Sequence, residues 1–173
     1  MLENLGEINE MTFYKMLGEA RPDDLSQLRN NYRCLGLGKF YKVKLSGEDV
    51  KRLVVCSHKD IRAPFEKYCG VGTNEYDKIR TLEKLLHLLE DRLQNFFVEP
   101  WFENVKRVYY NLNLEQFNKS FFIRDLSNNE PSFGSAYLED GAHRLLGRAL
   151  REGFSFKIEA YIATQNIGKY LRG

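Results

Sequence analysis

One stretch of the chain concentrates side chains that do chemistry. Tyr137-Leu138-Glu139-Asp140-Gly141-Ala142-His143-Arg144-Leu145 sets two carboxylates, a glycine, an imidazole and a guanidinium side by side. Apolar residues precede it, and Ala142, Leu145, Leu146, Ala149 and Leu150 recur at helical spacing after it. The pattern predicts a strand that turns into a helix at Gly141. The first amides of a helix have no internal partners and, with the helix dipole, attract anions. Gly141 lets a ligand approach the backbone because it has no Cβ. Arg144 adds a planar fork that matches two phosphate oxygens. His143 can donate to a phosphate or exchange a proton near neutral pH. Asp140 and Glu139 suit Mg²⁺ ligation, contact with a ribose or substrate hydroxyl, or work as a base. The segment therefore offers Gly141, Ala142, His143 and Arg144 to a phosphate group, Asp140 and His143 to catalysis, and Asp140 and Glu139 to a metal. Plainer roles stay open: Asp140 as a helix cap, and Arg144, Arg148 and Arg151 as a solvated helix face.

A second set of candidates lies at Glu48, Asp49 and Lys51, just after another strand-to-helix turn. A lysine there can contact phosphate, and a carboxylate can orient a hydroxyl or water for phosphoryl transfer. Ordinary helix-start carboxylates are the equal alternative. His58, Lys59, Asp60 and Arg62 form a polar cluster that either lines the same cleft or belongs to a surface loop. Three scattered His and three scattered Cys (Cys34, Cys56 and Cys69) show no zinc spacing and no disulfide framework. Lys106, Arg107, Tyr109 and Tyr110 mix charge with rings, as single-stranded nucleic-acid binders do, and an amphipathic helix explains them as well.

The elements that must position these groups follow from periodicity. Residues 1–36 read as helical through Leu2, Leu5, Ile8, Met11, Phe13 and Leu17, with a second helix through Leu25, Leu28 and Tyr32. Lys39 to Leu45 alternates as a strand, with Tyr41 blurring the pattern. Ser46 and Asp49 resemble a capping box for a helix to about Cys56. Residues 57–73, with Pro64, Gly70 and Gly72, read as irregular. A long helix is expected from Glu75 to about Phe97, capped by Asn74, and another from Trp101 to about Leu112. Phe121–Leu126, Phe133–Leu138 and Phe154–Ile162 read as strands around the helix Gly141–Glu152, which Gly153 ends. The class is α+β or mixed α/β.

Asp140-Gly141-x-His143-Arg144 between a strand and a helix resembles the signature of the ParB/sulfiredoxin superfamily. The strand and helix at 39–56 resemble that family's opening unit, and 120–162 its closing unit. The resemblance implies a small mixed sheet in a single domain over 1–173, with a helical extension at 1–38 and a helical insertion at 57–118. It implies that the turn holds the phosphates of ATP with Mg²⁺, which the protein hydrolyses or uses for phosphoryl transfer. Some members are single-domain plasmid factors with ATPase and metal-dependent DNase activity that interfere with DNA transfer, so DNA is a further implied partner. Ala142 stands where sulfiredoxins carry their reactive cysteine, so sulfinic-acid repair is not expected. No CTP-binding motif of chromosome-partitioning ParB and no following helix-turn-helix domain are seen. The alternative is a non-catalytic adaptor that keeps the fold and binds a protein partner.

Bulk properties set the outer bounds. A chain of 173 residues points to one domain that needs no metal or disulfide to fold. A net charge of +2 does not force nucleic-acid binding. An acidic N-terminus without an apolar core is not a signal peptide, and no window approaches the ~20 apolar residues of a membrane span. A cytoplasmic protein is expected.

Overall fold

The computed structural model describes residues 2–111 and 119–171. Six strands form one mixed sheet: β1 (Glu3–Ile8), β2 (Lys39–Leu45), β3 (Leu53–Val54), β4 (Phe121–Arg124), β5 (Ala136–Asp140) and β6 (Ile158–Thr164), in the order β1-β2-β6-β4-β5-β3. β1/β2, β2/β6 and β4/β5 are antiparallel; β4/β6 and β3/β5 are parallel. The protein is α+β, as its sequence predicts. Helices cover both faces of the sheet. α1 (Glu10–Ala20) and α2 (Leu25–Cys34) pack Phe13, Tyr14, Leu17, Leu28 and Tyr32 onto Phe40, Phe122 and Ala163. The other face, through Tyr41, Val43, Leu45, Ile123, Leu138, Ala160 and Ile162, carries the remaining α-helices of the described residues. These are α3 (Gly47–Lys51), α4 (Lys59–Cys69), α5 (Thr73–Ile79), α6 (Leu82–Glu90), α7 (Leu93–Phe96), α8 (Glu103–Tyr110) and α9 (Ala142–Glu152). A 3-10 turn, Pro100–Phe102, leads into α8.

Burial on both faces explains β2. Phe40 faces α1 and α2, while Tyr41, Val43 and Leu45 face the larger helical layer. A strand covered on two sides need not alternate cleanly: Tyr41 keeps phase with Val43 and Leu45, and Phe40, on the other face, is the apolar residue out of step.

Several boundaries differ from the sequence expectation. Residues 3–8 are not helical but form the edge strand β1, with a bulge between Asn4 and Gly6. Asn9 then caps α1 by accepting from the Thr12 amide at 2.8 Å. The extension is thus a strand plus two helices that close the second face. The capping box at Ser46 and Asp49 is present, but α3 stops at Lys51 and β3 follows. The expected long helix 75–97 is broken into α5, α6 and α7. One contact underlies both changes: Val54 bridges Thr81, and Val55 N–H donates to the Arg80 carbonyl at 2.8 Å. Residues 80 and 81 leave the helical path to satisfy the backbone of 54 and 55, which has no other strand beyond it. Residues 57–73 also hold a full helix, α4, with Pro64 inside it. Burial of Ile61, Pro64 and Phe65 offsets the lost amide. The Leu112 end of the last helix expected there, and the insertion's end at 118, lie outside the described residues.

α9 carries the chemistry-bearing turn, and α8 fixes its position. A Cβ on Gly147 would stand 2.8 Å from the Val105 carbonyl and 2.6 Å from the Val108 Cβ. Glycine at that point lets the two helices approach closely.

Candidate functional site

β5 ends at Asp140, Gly141 turns, and α9 starts at Ala142. Gly141 sits at φ +107°, and a Cβ there would lie 2.3 Å from the Phe121 ring. Both conformation and contact demand glycine. No side chain caps α9, and Leu145 N–H is the first of its amides to bond back, to the Gly141 carbonyl at 3.0 Å. This start of α9 borders a cavity of about 420 Å³. Gly141, Ala142 and His143 line it with Arg21, Cys56, His58, Trp101 and the β5 residues Tyr137 to Asp140.

The ring of His143 lies against Trp101, with centroids 4.1 Å apart. Burial lowers its pKa, opposed by the nearby Asp140 carboxylate. His143 is therefore neutral near pH 7 and able to take up a proton when negative charge arrives. Arg21 comes from the end of α1. Its guanidinium donates to the Glu139 carbonyl at 3.0 Å and pairs with Asp24. Burial raises the pKa of Cys56 and holds it as a thiol.

The two carboxylates of the motif have different fates. Glu139 accepts from Arg124 at 2.9 Å and from the Tyr32 hydroxyl at 3.3 Å. Arg124 also forms a two-pronged pair with Glu130, both bonds at 2.9 Å. These three side chains are almost fully buried, and Glu139 is bonded among them at the edge of the cavity. Asp140 uses Oδ2 to accept from Arg144 at 2.9 Å and lines two cavities.

Arg144 follows a different course from the one its position suggests. Its guanidinium donates to the carbonyls of Lys119 and Ser120 at 2.7 and 2.9 Å, and lies 4.2 Å from the Phe121 ring centroid. It lines the neighbouring cavity of about 510 Å³, with Met16, Glu19, Lys119 and Asp140. Arg144 thereby ties the start of β4 to the turn. Arg21 is the arginine that lines the cavity at the start of α9.

Glu48 and Asp49 are not brought to this turn. They line a separate cavity of about 690 Å³ with Leu45, Arg52, Ile123, Lys169 and Tyr170. Asp49 closes the capping box by accepting from the Ser46 amide and hydroxyl, at 2.8 and 2.6 Å. Lys51 pairs with Glu48 at 2.5 Å and lies 5.8 Å from the Phe154 ring centroid. His58, by contrast, does reach the cavity at α9. Arg21 and Trp101 escape sequence reasoning. Arg21 carries no local signal, since it meets Glu139 across 118 positions. Trp101 is the chain's single tryptophan, and that rarity is a usable hint.

Among the described residues, no group of three or more His, Cys, Asp or Glu could hold a metal ion. Nor is any helix there long and apolar enough to cross a membrane. Fold and site together define an α+β protein whose strand-to-helix turn faces a cavity with an uncapped helix start, an arginine and two imidazoles. Set against family models, curated proteins and solved structures, the chain matches none.

Proposed function

We propose that this chain binds the phosphates of a nucleotide at the start of α9 and acts on them, hydrolysing ATP or passing on its phosphoryl group. The observation that carries this reading is the uncapped start of α9 bordering a cavity that also holds Arg21, His58 and His143. An uncapped helix start beside cationic and protonatable groups favours an anion. The cavity volume, about 420 Å³, falls within the range of small-ligand sites.

In this reading the Ala142 and His143 amides and Arg21 hold the phosphate oxygens. His143 donates to an oxygen as charge develops on it. Arg144 contributes by fixing Asp140 and the Lys119–Ser120 backbone, as a positioning residue. Asp140 offers its other carboxylate oxygen, Oδ1, to an attacking hydroxyl or water. Mg²⁺ commonly needs only one or two carboxylates alongside substrate phosphates. Asp140 fits that demand, Glu139 does not, and the ion would enter with the nucleotide. When bound, it would neutralise charge on the phosphates.

Trp101 gives a direct test, because the single tryptophan lies against His143. Titration with Mg²⁺-ATP is expected to change its fluorescence and to raise the melting temperature. At 100 times Kd the stabilisation should be about 2.7 kcal/mol. Arg21→Ala and His143→Ala should each weaken binding by about 10-fold, in line with roughly 1.5 kcal/mol for a hydrogen bond to a charged group. If wild type shows neither response to ATP nor to inorganic tripolyphosphate, the phosphate reading is lost.

A further inference from the structure

Trp101 borders two cavities. One is the cavity at the start of α9; the other, of about 380 Å³, lies between α4 and the 3-10 turn. Its lining is Lys59, Asp60, Ala63, Pro64, Glu99, Pro100 and Trp101. The chain also links the two cavities directly. His58 lines the first, and its successors Lys59 and Asp60 line the second. The two spaces therefore share a wall made of Trp101 and the first turn of α4.

The second cavity has the character of a stacking slot. Ala63, Pro64, Pro100 and Trp101 are its apolar lining residues. Acceptors and a donor stand among them: the Asp60 and Glu99 carboxylates and the Lys59 ammonium. Glu99 is anchored through Oε1, which accepts from Lys67 at 2.8 Å and from the Tyr68 hydroxyl at 2.5 Å. Flat π systems bind such surfaces by stacking, which works for any base because every base has a π-face. Carboxylate acceptors favour a base that carries an exocyclic amino group.

We propose that this slot takes the heteroaromatic base of the bound nucleotide, with the phosphates on the other side of Trp101 at the start of α9. The inference rests on the phosphate reading above and adds the part of the ligand that gives selectivity. It gives the helical segment between β3 and β4 a function of its own. α4 and the 3-10 turn read the base, while β5 and α9 hold the phosphates. An amino-bearing base such as adenine is preferred over one with a carbonyl at the same edge.

The test compares Mg²⁺-ATP with inorganic tripolyphosphate, by calorimetry, in wild type, Ala63→Leu and Trp101→Leu. Ala63→Leu fills the slot with a strong helix former and leaves the phosphate turn untouched. Wild type is expected to bind ATP roughly 10- to 100-fold more tightly than tripolyphosphate, the range that stacking one base contributes. Ala63→Leu should remove most of that difference and leave tripolyphosphate binding unchanged. Trp101→Leu should also remove the preference for ATP and, because Trp101 packs on His143, weaken tripolyphosphate binding as well, with circular dichroism confirming the fold. Equal affinity of wild type for ATP and tripolyphosphate overturns the base slot while the phosphate site stands. So does an Ala63→Leu protein that keeps the full preference for ATP. Failure of both ligands to bind wild type removes the phosphate site, and the slot with it.

Discussion

Neighbouring residues of like type acquire opposite roles here, and burial decides which. Glu139 and Asp140 are both carboxylates at the end of β5, yet strand alternation sends them to different surroundings. Glu139 meets Tyr32 and the buried Arg124–Glu130 pair at the edge of one cavity, whereas Asp140 pairs with Arg144 and borders two. Removing one member of a buried ionic group typically costs about 3–5 kcal/mol, because a charge is left without compensation. Arg124→Ala would strand two carboxylates at once. We expect it to lower stability by about 3 kcal/mol or more in urea unfolding. Asp140→Asn keeps the shape and weakens only one pair, so its cost should stay below that of Arg124→Ala while nucleotide turnover falls. An Arg124→Ala protein as stable as wild type would return Glu139 to the ligand-contacting groups.

At the scale of elements, the site depends on how closely α9 lies on α8. Alanine normally stabilises a helix over glycine by about 1 kcal/mol. At Gly147 that gain is opposed by overpacking, which costs about 1–3 kcal/mol. The Val105 backbone carbonyl, 2.8 Å from the added Cβ, cannot rotate aside as a side chain could. Gly147→Ala is therefore expected to lower the melting temperature and, by tilting α9, to weaken Mg²⁺-ATP binding. An unchanged melting temperature would show that the α8–α9 contact yields easily. The same scale shows what sequence could reveal. The turn at Gly141, α9, the Gly153 stop and the capping box at Ser46 were all legible, because local spacing and backbone chemistry set them. β1 was not, since Leu2, Leu5 and Ile8 fit a helical period and only pairing with β2 makes them extended. The breaks at 52–55 and 80–81 were hidden for a related reason. Each segment leaves its helix to bond with the other, and neither carries that signal alone. Within the site, His143 and Asp140 were legible from the motif. Arg21 was not, because no local pattern marks a residue that acts across the fold.

For the molecule as a whole, the site is a meeting point of four parts of the chain: the end of α1, residues 56–58, Trp101 and the β5–α9 turn. An assembly of this kind would couple folding to the proposed binding, and His143 would make the coupling readable through pH. Its folded pKa lies below the ordinary 6.5, chiefly through burial. The unfolded chain, with an ordinary histidine, then takes up protons first as pH falls. Unfolding is favoured wherever the unfolded state binds more protons. The stabilising contribution of neutral His143 is thus whole above about pH 6.5 and is lost as pH falls from there through the folded value. Glu130 has its pKa lowered despite burial, which alone would raise it; its bonds to Arg124 and Ser127 prevail, and its contribution is lost only below about pH 4.5. A slope in stability between pH 6.5 and 5 should therefore shrink in His143→Phe, which keeps a ring against Trp101 and removes the titration. In the proposed complex, bound phosphate would reverse the sign. Negative charge beside the imidazole raises its pKa, so the ligand recovers what acid removes. The rise in melting temperature on adding Mg²⁺-ATP should be larger at pH 6 than at pH 8 in wild type. His143→Phe should flatten that difference. Because the ligand's phosphates titrate as well, the comparison that decides is between the two proteins and not between the two pH values. Equal pH dependence in both would assign the effect to the ligand and take His143 away from the phosphates.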